Sequence, residues 1–361
     1  MRKLLLLVVA FSTIFVYAQK DKGVGLKKNV KAGEGRSKGV VTPEFLWSLG
    51  RVSDIKVSPD GNQVLFGITY YNIAENKGNR DLYVMPTAGG ELKKLTDSQG
   101  NEYNGIWRPD GKKIGYISSE SGSSQIWEMN PDGSDKIQIS NIAEGVNGFA
   151  YAPDMKHLLY TADVKLDATV QDTYPDLPKA NAMIYTELMY RHWDSWADQS
   201  YSHIFVTAYP VPKEGAAKDI MPKERWDAPI TPDGGMEQIA WNNAGTKIAY
   251  ACKKMFGKEY ATSTNSDIYL YDLASGKTSN ISAPNPGYDM DPVFSPDGKS
   301  IAWTSMKTAG FESDKKRIII YNFAKPKAED YSADFDQSST NFVWSADGKS
   351  LYFISGVQAT Y

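Results

Sequence analysis

Hydrophobic and polar residues alternate in the same way in six short segments of this chain, and the segments align without gaps. Each ends on an aromatic residue and has an aliphatic residue two positions earlier, a period of two that is typical of a strand with one buried face. A large apolar residue also precedes each segment. The segments are SPDGNQVLF from 58, RPDGKKIGY from 108, APDMKHLLY from 152, NNAGTKIAY from 242, SPDGKSIAW from 295 and SADGKSLYF from 345.

The start of each segment predicts a tight turn between two strands. In Pro-Asp-Gly, proline presets φ, the Asp side chain can bond the local backbone, and glycine accepts positive φ. Each segment therefore predicts a β-hairpin. We interpret the repeated aspartates as turn residues rather than as a calcium or acid site; they are Asp60, Asp110, Asp154, Asp297 and Asp347.

A third apolar strand follows each of the first five hairpins, and a short fourth strand ends near 94–96 or 280–282. The third strands contain DLYV from 81, QIWE from 125, HIFV from 203, DIYL from 267 and RIII from 317. Units of four strands repeated every 40 to 50 residues or so are typical of β-propeller blades. We predict an all-β propeller with five blades and part of a sixth in this chain. The spacing between aromatic positions doubles once, which predicts an insertion in the third blade over 165–201.

The chain outside the propeller is short and basic. Residues 1–18 carry Arg2 and Lys3 before an apolar run that ends at Ala18, the pattern of a signal peptide. Residues 19–41 read as a flexible linker with a net charge of +5, from seven basic and two acidic residues. The predicted propeller, 42–361, carries 31 basic and 41 acidic residues, a net −10. An acidic body argues against nucleic acid as the partner.

Export to the periplasm or outside the cell is therefore expected, with no membrane anchor, because the apolar run at the amino end is too short to span a bilayer and no later run is longer. The one cysteine, Cys252, follows an apolar run, and we interpret it as a buried strand residue.

Two segments and the repeat itself carry a family resemblance. The repeats resemble those of TolB-like propellers and of the propeller domain of the prolyl oligopeptidase family of serine peptidases. TPEFLWSLGRVSDIKVSPDG, 42–61, and LMYRHWDSW, 188–196, are similar to segments of the bacterial dipeptidyl peptidase 5 and acylaminoacyl peptidase-like members. The resemblance implies a ring of seven or eight blades and a C-terminal α/β-hydrolase domain that supplies Ser, Asp and His. It implies that this chain is a fragment ending before that domain.

No catalytic residue of this chain is predicted. The single G-x-S-x-G match, 35–39, lies in the Lys/Gly-rich linker, where the strand and helix that a nucleophile elbow requires are missing. His157 and His203 fall in strand patterns, so we interpret them as strand residues. No His, Cys or carboxylate pair shows metal-ligand spacing such as H-E-x-x-H, so neither a metal nor a cofactor is expected.

The insertion is the predicted functional region. Met183, Ile184 and Leu188 recur at helical spacing, which predicts a short helix within 182–194. In the dipeptidyl peptidase branch, acidic residues on a propeller insertion hold the substrate's ammonium group, a role that this resemblance implies for Glu187 and Asp194. Arg191 is a candidate for a substrate carbonyl or carboxylate, and Trp193 completes the predicted substrate-binding set.

A purely structural interpretation of the same residues stays open. Glu187 and Arg191 stand four residues apart and would form a surface ion pair on a helix. Trp193 and Trp196 would then pack the insertion onto its blade. Two functions also stay open: the substrate-gating propeller of a secreted dipeptide-releasing serine peptidase, and a non-catalytic TolB-like interaction module. The peptidase would have a peptide substrate and its own hydrolase domain as partners.

If the chemistry belongs to a hydrolase domain outside this chain, the purified 361-residue protein hydrolyses no dipeptide substrate. Release of a chromophore from free-amino dipeptide anilides measures this directly. Turnover by the purified chain, abolished by a serine-directed inhibitor, would contradict the expectation.

Overall fold

A computed structural model describes residues 40–212 and 217–357. The predicted signal peptide, 1–18, and nearly all of the predicted linker, 19–41, lie outside the described residues and stay predictions. Among the helices that the structure describes, none is both long and apolar enough to span a bilayer.

Five four-stranded antiparallel sheets and one hairpin follow one another along the chain, which we number as blades one to six. This confirms the predicted hairpins and the predicted third and fourth strands. The strands are β1 (Arg51–Val57), β2 (Gln63–Asn72), β3 (Lys77–Pro86) and β4 (Lys93–Lys94) in blade one; β5 (Tyr103–Trp107), β6 (Ile114–Ser118), β7 (Gln125–Met129) and β8 (Ile137–Gln138) in blade two; β9 (Gly148–Tyr151), β10 (His157–Lys165), β13 (Ser200–Ala208) and β14 (Lys218–Asp219) in blade three; β15 (Ile239–Trp241), β16 (Lys247–Cys252), β17 (Asp267–Asp272) and β18 (Lys277–Asn280) in blade four; β19 (Asp289–Phe294), β20 (Ser300–Ser305), β21 (Arg317–Asn322) and β22 (Lys327–Asp330) in blade five; and β23 (Thr340–Trp344) and β24 (Leu351–Ile354) in blade six.

The remaining elements are short. A small hairpin, β11 (Arg191–His192) with β12 (Ser195–Trp196), stands within the insertion of blade three. The helical elements are α1 (Pro43–Ser48), α2 (Val170–Thr173), α3 (Gly257–Thr262) and a 3-10 turn (Met236–Gln238).

The chain divides into two compact units. Residues 40–51 and 69–79 belong to one, and 52–68 and 80–357 belong to the other. In the first unit, the Thr42 hydroxyl accepts the N–H of Phe45 at 3.2 Å and so caps α1. The Trp47 ring meets Tyr71 edge to face, with ring centroids 5.4 Å apart. The features described below lie in the second unit.

Apolar side chains pack between successive blades, so each blade shares a core with the next. Leu65 and Leu82 of blade one pack in one cluster with Ile114 and Tyr116 of blade two. Cys252 lies fully buried in the cluster between blades three and four, where burial raises the pKa of its thiol far above the usual range. Its predicted place in a strand core is confirmed.

The repeated aspartates are turn residues, as predicted. In all five, one carboxylate oxygen accepts the backbone N–H of the residue two positions later, at 3.0 to 3.1 Å. This bond closes the turn between the first two strands of these five blades, which is the local pairing that Asp makes most readily.

A second repeated feature, a left-handed residue in the first strand, was not predicted from the sequence. Three residues before the apolar residue that ends the first strand, four blades carry Asp or Asn in the left-handed backbone region. In blades two, five and six the strand register shifts at this point, which marks a β-bulge. Asp and Asn tolerate this conformation better than other residues with a side chain. The four are Asp54, Asn104, Asp291 and Asn341, with φ between 51° and 56°.

Backbone hydrogen bonds join each blade to the next. The segment that enters the next blade donates an N–H to a carbonyl at or just before the third strand of the blade behind it, at 2.9 to 3.0 Å. The five donor and acceptor pairs are Glu102 and Arg80, Val146 and Ser124, Ala228 and Ser202, Asp289 and Ser266, and Ser339 and Lys316.

A buried hydroxyl fixes the fourth strand in four of the blades. It accepts the N–H of a third-strand residue fourteen positions earlier, at 2.8 to 2.9 Å. The hydroxyls belong to Thr96, Ser140, Ser282 and Ser332, and the donors are Leu82, Ile126, Ile268 and Ile318.

In blade three a different contact links the third and fourth strands. There His203, fully buried in β13, contacts the Asp219 carboxylate at 2.9 Å and the Glu224 carbonyl at 2.7 Å. Burial opposes the charged form of His203, but these two contacts outweigh it and raise its pKa. The prediction of His203 as a strand residue is confirmed.

Ser282→Ala removes the acceptor of the buried Ile268 N–H and is expected to lower the free energy of unfolding by about 1–3 kcal/mol. Urea titration measures the loss. The matched control is Ser279→Ala, because Ser279 is an exposed residue of the neighbouring β18, and its effect should stay within about 0.5 kcal/mol. Equal effects of the two substitutions would show that the hydroxyl does not fix the strand.

Candidate functional site

The insertion of blade three begins with a capped helical turn. The Thr169 hydroxyl accepts the N–H of Asp172 at 3.1 Å, and the Asp172 carboxylate accepts the N–H of Thr169 at 2.8 Å. This reciprocal pair starts α2. Lys165, at the end of β10, pairs with the same carboxylate and ties the start of the insertion to its blade.

The helix predicted within 182–194 is wrong. Instead, Arg191 pairs with Trp196 and His192 with Ser195 in the β11–β12 hairpin. Three aromatic rings, those of Tyr185, Tyr190 and Trp196, lie with centroids 5.6 to 6.3 Å apart and hold the segment in this form. The Tyr185 hydroxyl donates to the Ala197 carbonyl at 2.7 Å.

Three predicted site residues lie in this hairpin. Trp193 sits in its turn with φ of 50°, and its side chain is 66% exposed. Asp194, next in the turn, is exposed. Arg191 donates from Nε to the Trp193 carbonyl at 2.6 Å, and its guanidinium lies 5.3 Å from the centroid of the Trp196 ring. The expected packing of both tryptophans onto the blade is wrong, since Trp196 is also more than half exposed.

The fourth predicted residue, Glu187, reaches across to blade four. Its Oε2 lies 2.7 Å from the place where a side chain on Gly257 would begin, so the carboxylate rests on the backbone at the start of α3. The ion pair expected between Glu187 and Arg191 does not form in the described part of the chain, where Arg191 bonds within the hairpin instead.

A cavity of about 430 Å³ opens between the insertion, the end of the β10–β13 ladder and the loop before α3. None of the four predicted residues lines it, although their neighbours Leu188, Met189, His192, Ser195 and Trp196 do. The role assigned to the four residues stays a prediction.

Three carboxylates line this cavity, those of Asp163, Asp198 and Asp227. Asp163 stands opposite Ser202 in the β10–β13 register. Asp227 accepts the N–H of Ser202 at 2.8 Å and the hydroxyl of Thr231 at 2.9 Å. Ser202 of β13 thus places two of the carboxylates. Asp163 is its partner across the ladder, and Asp227 accepts its N–H.

Two of these carboxylates have a raised pKa. Burial raises the pKa of Asp227, and the charges on Asp163 and Asp198 raise it further. Burial also raises the pKa of Asp163, with a further rise from Asp198. Arg225 lines the same cavity, but its Nε bonds Asp167 at 2.7 Å. Carboxylates gathered in this way favour binding of a cation, which relieves their repulsion.

Aromatic side chains form much of the remaining wall. Trp196, Trp226, Phe256 and Tyr260 all line the cavity, and the centroids of the Trp226 and Phe256 rings lie 4.0 Å apart. The faces of such rings attract cations. In the described residues, no group of three or more His, Cys, Asp or Glu side chains is arranged to hold a metal ion. The cavity therefore combines charge and surface suited to an organic ammonium.

These carboxylates were missed because no motif connects them. Asp163 and Asp227 are separated by 64 positions, and the fold brings them together at Ser202. The available signal was the β10–β13 pairing, which places Asp163 beyond the apolar part of its strand.

Most of this chain is similar in sequence to known proteins. Residues 50–244 match the model of the TolB beta propeller domain. The chain is 42% identical to the dipeptidyl-peptidase 5 of Porphyromonas gingivalis over 319 residues, which are 88% of this chain and 46% of that protein. It is 36% identical to the dipeptidyl-peptidase 5 of Porphyromonas endodontalis, over 89% of this chain and 46% of that one. The chain spans about half the length of these relatives.

Solved structures agree on the fold. An acylaminoacyl peptidase of Pyrococcus horikoshii superimposes with a TM-score of 0.61 at 15% identity, over 86% of this chain and 44% of the other. At that identity the likeness concerns the fold alone, and with the matching domain model it confirms the predicted TolB-like β-propeller.

Asp227→Asn is expected to stabilise the protein at pH 7.5 by roughly 0.5–2 kcal/mol, the usual range for a single stabilising substitution. The folded state raises the pKa of Asp227 above its ordinary value of 3.8, so wild-type stability falls as pH rises from about 4 through the folded pKa. Asparagine does not titrate, so the gain should vanish near pH 4.

Denaturant titrations at both pH values measure this effect. Asp194→Asn in the exposed hairpin turn is the matched control and should change stability by less than about 0.5 kcal/mol at either pH. A destabilisation of Asp227→Asn that is the same at both pH values would contradict the proposed electrostatic strain.

Proposed function

Because this chain belongs to the TolB β-propeller family, we propose that it is the propeller part of a secreted serine exopeptidase that releases dipeptides from short peptides. The support is its 42% identity, over 88% of its length, to a dipeptidyl-peptidase 5. Export rests on the signal-peptide pattern of residues 1–18 alone.

In this proposal the bond-breaking residues belong to an α/β-hydrolase domain outside this chain. There a serine attacks the scissile carbonyl, a histidine takes and returns the proton, an aspartate orients the histidine, and backbone N–H groups stabilise the oxyanion. The relatives offer room for such a domain, since this chain matches 46% of their length.

The propeller's part is to admit and position the peptide. Release of dipeptides requires the enzyme to measure two residues from the free amino end, so that end needs a fixed binding site. The observation that carries the proposal is the cluster of Asp163, Asp198 and Asp227 at an aromatic-walled cavity on the insertion. Carboxylates bind ammonium through charge-assisted hydrogen bonds, which are stronger than neutral ones.

Two sets of acidic residues now compete for this role. Glu187 and Asp194 are the pair that the resemblance implies, and they stay a prediction. Asp163 and Asp227 are the pair that lines the cavity, with raised pKa values and an aromatic wall beside them. We favour the cavity pair, because the carboxylate of Glu187 rests on the backbone near Gly257 and neither Glu187 nor Asp194 lines the cavity.

In the protein expressed from its complete gene, Asp163→Asn and Asp227→Asn are each expected to raise KM for free-amino dipeptide anilides roughly tenfold or more. A hydrogen bond to a charged group contributes about 1.5–3 kcal/mol. N-acylated substrates lack the ammonium, so their KM should change less than about twofold. Steady-state kinetics on both substrate types measures the difference.

Glu187→Gln and Asp194→Asn serve as matched controls and should leave both KM values unchanged. If these controls raise KM for free-amino substrates and the cavity variants do not, Glu187 or Asp194 holds the ammonium and our assignment is wrong. If the complete protein releases no dipeptide from any substrate, the peptidase proposal fails and a non-catalytic interaction propeller takes its place.

A further inference from the structure

The cavity has an apolar side beside its carboxylates. Leu188 and Met189 come from the insertion, Trp226 from the segment before blade four, and Met255 and Phe256 from the loop before α3. Two of these are strongly exposed: Phe256 is 62% and Leu188 44% accessible. Large apolar side chains gathered from three segments around one opening are typical of a ligand-binding surface.

Phe256 is held in this position by its surroundings. Its carbonyl accepts the N–H of Tyr260 at 3.2 Å in the first turn of α3, and its ring lies 4.0 Å from that of Trp226, centroid to centroid. Gly257, with φ of 53°, follows it and lets the Glu187 carboxylate approach the backbone. The ring is therefore fixed at the cavity while most of its surface faces solvent.

The covalent geometry of a peptide connects the acidic and the apolar sides. In a peptide's first residue the ammonium nitrogen and Cβ are both bonded to Cα, so they lie only about 2.5 Å apart, given bonds of roughly 1.5 Å. A nitrogen bound at Asp163 and Asp227 thus places the first side chain inside the same cavity. At about 430 Å³, the cavity falls within the range of small-molecule sites, roughly 300–1,000 Å³.

We propose that this wall, centred on Phe256 and Trp226, binds the side chain of the substrate's first residue, so that the enzyme selects peptides with a large apolar residue at that position. The inference rests on the proposed peptidase function and on an ammonium held at the cavity carboxylates. Phe256 is then a specificity-determining residue, and it takes no part in bond cleavage.

The test compares anilides of Phe-Ala, Leu-Ala and Gly-Ala on the protein expressed from its complete gene. Wild-type kcat/KM should be roughly tenfold or more higher for the Phe-first and Leu-first substrates than for the Gly-first one, because apolar pockets discriminate by about 10- to 200-fold. Phe256→Ser should lower kcat/KM roughly tenfold for the first two, mainly through KM, and less than about twofold for the Gly-first substrate.

Two further variants keep the result interpretable. Phe311→Ser removes a phenylalanine that is 50% exposed and does not line the cavity. It should leave kcat/KM unchanged for all three substrates. Phe256→Leu keeps an apolar side chain and should recover most of the preference. Thermal unfolding of each variant checks that the fold is intact.

The outcomes separate the two proposals. Cleavage of all three substrates with equal kcat/KM, or equal loss on all three in Phe256→Ser, overturns the side-chain site while the peptidase function stands. If no dipeptide substrate is cleaved, the peptidase function itself is overturned.

Discussion

The antiparallel pairing of β10 with β13 is the interaction on which the candidate site depends. Nine residue pairs join the strands, from His157 with Ala208 to Lys165 with Ser200. The inner pairs carry apolar side chains such as Leu158 and Ile204 into the core. The outer pairs continue past the core and open into the insertion. Because successive side chains of a strand alternate between its two faces, this register decides that Asp163 stands at the cavity opposite Ser202.

The junction with blade four completes the arrangement. Ser202 accepts the N–H of Ala228 at 2.9 Å, which is the blade-to-blade bond found at every junction of the second unit, and donates its own N–H to Asp227. At the other junctions this bond only joins two blades. Here it also places the neighbouring Asp227 carboxylate at the cavity. The result is electrostatically strained, since burial and neighbouring charge both raise the pKa of Asp227. Strain of this kind persists when the surrounding structure holds it in place, and it is concentrated at functional sites.

The blades could be predicted from sequence because their determinants are local. Aliphatic and aromatic residues at a period of two predict the strands, and turns such as those of Asp60 and Asp297 predict how two strands join into a hairpin. The left-handed positions at Asp54 and Asn104 also leave a pattern in the sequence, since Asp or Asn recurs three residues before the apolar end of the first strand. The structure is needed to show that this pattern marks a bulge.

The helix predicted in the insertion was wrong because its determinants are not local. Met183, Ile184 and Leu188 show helical spacing but are all exposed, whereas Tyr185, Tyr190 and Trp196 pack together and favour the hairpin. The cavity carboxylates are brought together by the fold, so local sequence carries no sign of them.

The central claim is that the amino end of a peptide binds at Asp163 and Asp227. The most direct measurement is a crystal structure of the protein expressed from its complete gene, bound to an uncleaved peptide. We predict the peptide's amino nitrogen within about 3.2 Å of a carboxylate oxygen of Asp163 or Asp227, at hydrogen-bonding distance, with the first side chain against Phe256. An amino nitrogen bound at Glu187 or Asp194, or lying outside this cavity, would contradict the claim.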